Sequence, residues 1–471
     1  MGLQKIPLRC VLGEAQARRA LCSLAIALVA CGASGAGVVK STGSSPSDDS
    51  GATPSESDRA ALALLSPPAL PPPPLDITNR FADEPRAAAF GKELFSDAFM
   101  SGPLLDSDND GAPGSLGKPG DVGRVACSSC HVPESSFSDT RSFQLQVSLG
   151  AGWGRRRAPS LLDVGQAKLL MWDGRRDTLW NQPFGPIESV VEMNSSRLYA
   201  AEQVFRKYRG TYEALFGPMP ALDRSDSFPQ LPASLAGCQP KNRTDPQPTC
   251  DGKFHGSPGD HAEFDGMSPA NQAAVSAVVV NVGKALAAYE RTLTCGQSRF
   301  DAWVRGDSSA LSRSAQRGAI LFVGRGKCVG CHSGPYLSDQ KFHNVGLRPI
   351  TVQQAFIDSN DRGAAAGIAA ALADPVSSLG SFSDGNDGRL PNTVTIEMEG
   401  AFRTPGLRCV SRRPSFMHTG QIRTLLGVVQ FFDRGGSVGG YPGQSEIGAL
   451  QLNSRDIDDL TEFLGALDGS R

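Results

Sequence analysis

The sequence predicts a mainly α-helical fold: two tandem units of similar build, set behind an N-terminal export segment and a disordered tether. Three observations predict it. The pentapeptides CSSCH (127–131) and CVGCH (328–332) stand about 200 residues apart. Apolar residues recur at helical spacing ahead of each pentapeptide and again near the C-terminus. Strand-like alternation is sparse outside short loops.

Taken in order, Arg18 and Arg19 precede the apolar run ALCSLAIALVA, which has signal-peptide length and is too short to span a membrane comfortably. The run ends LVAC, Leu28 to Cys31, similar to a bacterial lipobox in which the cysteine is acylated and becomes the mature N-terminus. The alternative is an ordinary secretory signal cut near Ala36. Residues 1–30 are therefore expected to be a signal peptide, with the chain lipid-anchored to a membrane through Cys31. The expected location is the periplasm or cell envelope, as an outer-membrane lipoprotein. Residues 31–80 are rich in Ser, Pro, Gly and Ala and read as the tether, with SPPALPPPPL (66–75) favouring polyproline II. Residues 81–297 and 298–471 then form the two units, the first carrying an insertion over about 219–265.

Of 471 residues, 40% are hydrophobic and 20% charged, which suits a globular protein. The formal net charge of −2 gives no basic footprint, so no nucleic-acid partner is expected. Of the 11 cysteines, Cys10 and Cys22 leave with the signal and Cys31 takes lipid. Cys127, Cys130, Cys328 and Cys331 belong to the pentapeptides. Cys238, Cys250, Cys295 and Cys409 remain, enough for two disulfides in an exported protein. Cys238 and Cys250 share a Pro-rich loop, which leaves Cys295 to Cys409.

A thioredoxin-type pair needs one C-x-x-C near a βαβ pattern, and a zinc ribbon needs a much shorter spacer. Covalent haem accounts for every residue of both motifs. The thiols add to the haem vinyl groups, and the following histidine is the proximal iron ligand. Two covalently bound haem c groups are therefore expected, on Cys127, Cys130 and His131 and on Cys328, Cys331 and His332. The flanks agree. A helix over 84–97 aligns Phe90, Leu94 and Phe95, and another before the second motif aligns Ala319, Leu321 and Phe322. Residues 454–468 place Ile457, Leu460, Phe463, Leu464 and Leu467 on one stripe, with Ser454 as N-cap. A C-terminal helix packed on the helix before the haem motif is the cytochrome c arrangement, so each unit is expected to be cytochrome c-like. A long helix over 267–293 starts from Ser268 and Pro269.

Between the motifs, MWDGRRDTLWNQPFGPIESVVEMN (171–194) resembles the bacterial di-haem cytochrome c peroxidases and their MauG-like relatives. KFHNVGL (341–347), FRTPGLR (402–408) and FMHTGQIRTL (416–425) are similar to later segments of that family, in the same order, and the resemblance runs from about Phe90 to Leu467. It implies that Trp172 lies between the haems on the electron path, that Glu192 is the acid on the distal side of the N-terminal, peroxidatic haem, that Gln182 stands beside it and that Pro186 forms a pocket wall. The residue chemistry suits those roles. Cleaving a peroxide O–O bond needs a proton moved between its oxygens, which a carboxylate can do, and an amide can hold the peroxide by hydrogen bonds. The bland readings are a surface Glu192, a packed Trp172 and a solvated loop Gln182.

Two positions depart from the family pattern. In SLGAGW (148–153), Ala151 stands where many members have a histidine that caps the N-terminal haem. The remaining histidines are His255, His261, His343 and His418. The N-terminal haem is thus expected to be open without prior reductive activation. In RRPSFMHTG (412–420), Pro414 occupies the expected position of a methionine ligand to the second haem, and Met417 is the nearest substitute as metal ligand, with Met398, His343 and His418 as alternatives.

DSDNDG (106–111) begins like an EF-hand loop but has Gly117 at position 12, so calcium is an additional cofactor open to the chain rather than one required by the motif. GRRR (154–157) is either a partner for haem propionates or a solvated loop. The resemblance implies an enzyme, a cytochrome-c peroxidase that reduces hydrogen peroxide to water. Electrons would come from a small c-type cytochrome or cupredoxin and enter at the C-terminal haem. The alternatives are a MauG-like oxidase acting on a protein or organic substrate, and a non-catalytic electron-transfer lipoprotein. A homodimer is among the assemblies open to it.

Overall fold

The computed structural model describes residues 53–141, 147–238, 255–350 and 358–469. The signal segment, Cys31 and Cys250 lie outside the described residues. Among the described residues the helices are, in chain order, α1 (Glu56–Leu65), α2 (Pro85–Ser96), α3 (Cys127–Cys130), α4 (Phe184–Ile187), α5 (Arg197–Phe216), α6 (Pro269–Glu290), α7 (Arg299–Val304), α8 (Arg313–Val323), α9 (Ala364–Ala373), α10 (Leu425–Asp433) and α11 (Ser454–Gly465). Strand is confined to β1 (Phe342–His343) and β2 (Phe402–Arg403), antiparallel, with Phe342 opposite Arg403 and His343 opposite Phe402. The mainly helical expectation is met.

Two hydrophobic cores are built on one plan. In the first, α2 starts at Pro85 with Glu84 capping the Arg86 N–H, and buries Phe90, Leu94 and Phe95 on the stripe read from sequence. That stripe packs on α6, which starts from Ser268 and Pro269 as expected. In the second, α8 buries Ala315, Ala319 and Phe322 against α11, whose Leu460 and Phe463 are buried. Each fully buried Phe or Leu contributes about 1.5–3 kcal/mol of transfer free energy. Both crossings depend on a glycine. A Cβ on Gly91 would lie 2.0 Å from the Ala285 carbonyl oxygen, and one on Gly318 would lie 2.0 Å from that of Asp459. The N-cap of α11 is Asn453, in a capping box with Asp456, rather than the expected Ser454. The described parts of the 219–265 insertion join the first core through Met219, Leu222, Phe228, Leu231 and Phe264. A third apolar cluster forms around α9 and takes in Leu169, Leu390 and Ala401.

The tether requires correction. From residue 53 the chain is packed rather than disordered. Ser55 and Asp58 form a capping box on α1, and Leu62 and Leu65, three residues apart on one face, are buried in the second core. Ser66 Oγ then donates to Asp301, Tyr336 donates its hydroxyl to the Pro71 carbonyl, Arg291 Nη1 donates to that of Pro74 and Trp180 Nε1 donates to Thr78 Oγ1. Proline carbonyls have no partner within their own segment, so neighbouring donors can fix an extended Pro-rich strap without any core of its own.

Cys295 and Cys409 form the expected disulfide, both fully buried. Cys238 is also disulfide-bonded. The Cys295–Cys409 bond joins the segment after α6 to the segment that also receives the chain end, where Cys409 N–H donates to Leu467. Replacing both cysteines by serine is expected to lower stability by about 2–5 kcal/mol, read as a fall in the denaturation midpoint of the oxidised protein.

Candidate haem sites and the cavity beside His131

The two C-x-x-C-H segments fold alike. Each makes a single turn, with His131 N–H donating to the Cys127 carbonyl at 3.0 Å and His332 N–H to that of Cys328 at 2.9 Å. His131 Nδ1 lies 3.0 Å from the Phe137 carbonyl oxygen and His332 Nδ1 lies 2.9 Å from that of Leu337. A carbonyl only accepts, so Nδ1 carries the proton and Nε2 keeps its lone pair for a metal. Phe137 and Leu337 sit at φ 53° and 51°, tight left-handed turns that aim these carbonyls. Ring neighbours match too: Phe95 is 6.5 Å from His131, and Phe322 is 6.4 Å from His332. Burial lowers both histidine pKa values and keeps the imidazoles neutral. None of the four motif thiols is in a disulfide. Burial pushes Cys127, Cys130 and Cys328 up to about 12, which is the reverse of an activated thiolate.

A cavity of about 620 Å³ opens beside His131. Cys127, Cys130, Trp172, Gln182, Pro186 and Glu192 line it, so residues from distant parts of the sequence meet on one wall system. The volume lies within the ~300–1,000 Å³ of cofactor pockets. Loop 148–153 is zipped to the acidic segment: Ala151 N–H donates to the Glu192 carbonyl at 2.7 Å, and Gly152 N–H to that of Val191 at 3.0 Å. Ala151 itself is fully buried in the first core, while its neighbours Gly150 and Gly152 face the cavity. Among the described residues, His131 is the one histidine on the cavity wall.

Glu192 has its pKa raised. Desolvation is the larger cause, and it outweighs the opposing pull of the Arg175 charge and a Ser189 hydrogen bond. Gln182 Nε2 donates to Met171 Sδ at 3.5 Å. Trp172 is held through side chain and backbone: its Nε1 donates to the Arg157 carbonyl at 2.7 Å, and its own carbonyl accepts from Arg403 N–H at 2.8 Å. Its indole lies edge-on to His418, 6.5 Å between ring centres.

Three arginines had no firm role from sequence: Arg157 and Arg403 line the cavity, and Arg413 lies outside its lining but within reach of their charges. Desolvation pulls Arg157, Arg403 and Arg413 down to about 10. Arg403 donates to the Met171 carbonyl and Gln340 Oε1, Arg413 donates to the carbonyls of Gly406 and Arg408, and the buried Arg413 Nε has no partner. Desolvated guanidinium groups served by neutral acceptors fit an anionic group such as a haem propionate. The residues present therefore fit two covalent haems. The solvated-loop reading of 154–157 is corrected: Arg155 alone is exposed, Arg156 pairs with Asp173 at 2.5 Å and Asp361 at 2.6 Å, and Arg157 is 3% exposed. A loop arginine carries no sequence mark of burial, and only the tertiary fold reveals it.

The acidic loop does not converge on a cation. Asp106 and Asp110 each accept a backbone N–H two residues on, Asp108 accepts Trp153 Nε1 at 2.8 Å, and no group of three metal-ligating side chains forms among the described residues. On the second haem side, Met417 is half-buried in a left-handed turn at φ 68°. Its alternatives are engaged. Met398 packs on the third cluster, His418 stacks on Phe402 at 3.6 Å, and His343 is bonded at both ring nitrogens by Glu446 and Asp339.

The profile of the di-haem cytochrome c peroxidase family matches residues 85–236. The chain is 28% identical over 351 residues to methylamine utilization protein MauG of Methylophilus methylotrophus, covering 74% of this chain and 77% of that protein. It is 26% identical over 417 residues to cytochrome-c peroxidase IdrP1 of Denitromonas iodatirespirans, covering 85% and 86%. Among solved structures, the di-haem peroxidase BthA of Burkholderia thailandensis superposes with a TM-score of 0.54 at 23% identity, over 84% of this chain and 89% of that one.

Proposed function

Because the chain belongs to the di-haem cytochrome c peroxidase and MauG family of haem oxidoreductases, we propose that it is a periplasmic peroxidase reducing hydrogen peroxide to water. The observation that carries this reading is the cavity in which Glu192 and Gln182 share a wall with His131 and no second histidine stands among its described lining. The haems would supply electron transfer from a small c-type cytochrome or cupredoxin and the redox cleavage of the O–O bond.

The chain's own residues would do the rest. Cys127, Cys130, Cys328 and Cys331 would hold the porphyrins by thioether bonds, and His131 and His332 would present Nε2 to the irons. Arg157 and Arg403, with Arg413 behind them, would neutralise the propionates. Gln182 turns its amide N–H toward peroxide and orients it. The Glu192 carboxylate takes the proton from one peroxide oxygen and returns it to the leaving oxygen. Its raised pKa makes it a better acceptor than an exposed carboxylate and still lets it release the proton. Trp172, which lines the cavity and is bonded to Arg157 and Arg403, would carry electrons between the haems. The two units are proposed as separate haem domains, 81–297 and 298–471, with the strap over 53–80 packed on them.

Steady-state turnover of peroxide with a reduced c-type cytochrome tests the proposal, and sustained oxidation of the donor is the expected result. A second reading, oxidation of a protein or organic substrate, draws on the 28% identity to MauG. Consumption of peroxide that is not matched by donor oxidation would favour it. Indifference to peroxide would leave electron transfer alone.

A further inference from the structure

Met171 shares the cavity wall with Gln182 and Glu192, yet has no part in the proton path. Its backbone is fixed in the left-handed region at φ 65°, an uncommon conformation outside glycine. Its carbonyl accepts from Arg403 Nε at 3.3 Å, and the adjoining Leu170 N–H donates to the Arg176 carbonyl at 2.7 Å. The methyl end lies against Gly185, where an added Cβ would sit 3.6 Å from it. The sulfur receives the Gln182 amide at 3.5 Å. A thioether is a weak acceptor, so this amide is lightly held and can be exchanged.

We propose that Met171 is a peroxide-oxidised modification site: hydroperoxide in the cavity converts its thioether to the sulfoxide, which then holds the Gln182 amide and slows turnover at high peroxide. The slowing rests on the peroxidase reading above. A sulfur lone pair attacks one peroxide oxygen, and the S–O bond forms as the O–O bond breaks. Sulfur is oxidised by two electrons and peroxide is reduced by two. The proton on the transferred oxygen passes to the departing oxygen, which leaves as water. One thioether and one hydrogen peroxide thus give one sulfoxide and one water. The product replaces a weak sulfur acceptor with a polar S=O oxygen directed at the same amide. Met100 and Met193 also line the cavity but are 1% and 3% exposed, whereas Met171 is half-buried and opens into it.

The test treats the holoenzyme with graded hydrogen peroxide and follows the peptide Leu169–Arg175 by fragment mass spectrometry, which separates oxygen added at Met171 from oxygen added at Trp172. The expected result is sulfoxide at Met171 before Met398 or Met417. Turnover should fall in step with that fraction and recover on treatment with methionine sulfoxide reductases. In Met171→Leu, the ratio of late to initial turnover should no longer depend on the peroxide dose. Oxidation of Met171 no faster than of Met398, or an unchanged dose-dependent decline in Met171→Leu, overturns the proposal. Initial turnover separates the two readings: its absence defeats the peroxidase reading, while selective oxidation of Met171 in the same sample upholds the modification site.

Discussion

Glu192→Gln is expected to lower kcat for peroxide by about 10²–10⁴-fold while leaving the haem content unchanged. The glutamine keeps the shape and can still hydrogen-bond, but it cannot take a proton from one peroxide oxygen and hand it to the other. The two haem anchors and the backbone bonds from Ala151 and Gly152 to Glu192 and Val191 do not involve its carboxyl, so the site should otherwise stay assembled. The pH profile gives a second signature. Desolvation raises the Glu192 pKa above the usual glutamate value. The ionised, proton-accepting form is therefore lost on acidification sooner than an exposed carboxylate would be. An acid limb in kcat/KM displaced above the normal glutamate pKa is expected in the native enzyme, and it should vanish in Glu192→Gln. An unshifted limb in both proteins would remove Glu192 from the proton path.

Arg408→Ala is expected to cost about 3–5 kcal/mol of stability, because it strands a buried carboxylate. Arg408 and Asp301 are both wholly enclosed, with Nη1 2.8 Å from Oδ2. Arg408 also donates to the carbonyls of Pro335 and Leu65, and Asp301 accepts from Ser66 and from Ser298 N–H. The pair thereby ties the strap, α7 and the segment after His332 into one polar knot beneath the second core. Burial alone would raise the Asp301 pKa, but the hydrogen bond and charge of Arg408 outweigh it and hold the group below its normal value. A depressed carboxylate pKa stabilises the fold above the unfolded pKa of about 4 and loses that contribution as pH falls through the folded value. Denaturation followed by the haem Soret band should show a large drop in midpoint for Arg408→Ala. The acid sensitivity that Arg408 confers should go with it. A midpoint within experimental error of the native protein would show that the knot carries little of the stability.

What could be read from sequence divides along physical lines. Helices α2, α6, α8 and α11 were legible because Phe90, Leu94 and Phe95, or Leu460 and Phe463, repeat at the helical period and bury against one partner each. The two C-x-x-C-H segments could be read as candidate haem anchors because each carries its chemistry in five adjacent residues. The strap was misread because composition averages over a window, whereas Leu62 and Leu65 need only one turn of helix to reach the second core. The cavity wall was partly legible. Glu192 and Gln182 could be assigned only by resemblance, since neither residue has a local pattern that marks it. Arg403, Arg413 and Met171 drew no role because a loop arginine or methionine acquires its meaning from what the fold encloses. Ala151 shows the same limit from the other side. Its identity pointed to an open site, but its methyl group lies in the core, so the proposed open site rests on the whole lining rather than on that one side chain.

His131 is proposed to hold its iron from one side, leaving the other face of that haem free for peroxide. The spin state of the fully oxidised holoprotein tests it most directly. Electron paramagnetic resonance of the resting protein is expected to show a high-spin haem, five-coordinate or water-bound, beside a low-spin one, with no need for prior reduction. Two low-spin irons, each with a second strong protein ligand, would show that the haem on His131 is capped and closed to peroxide.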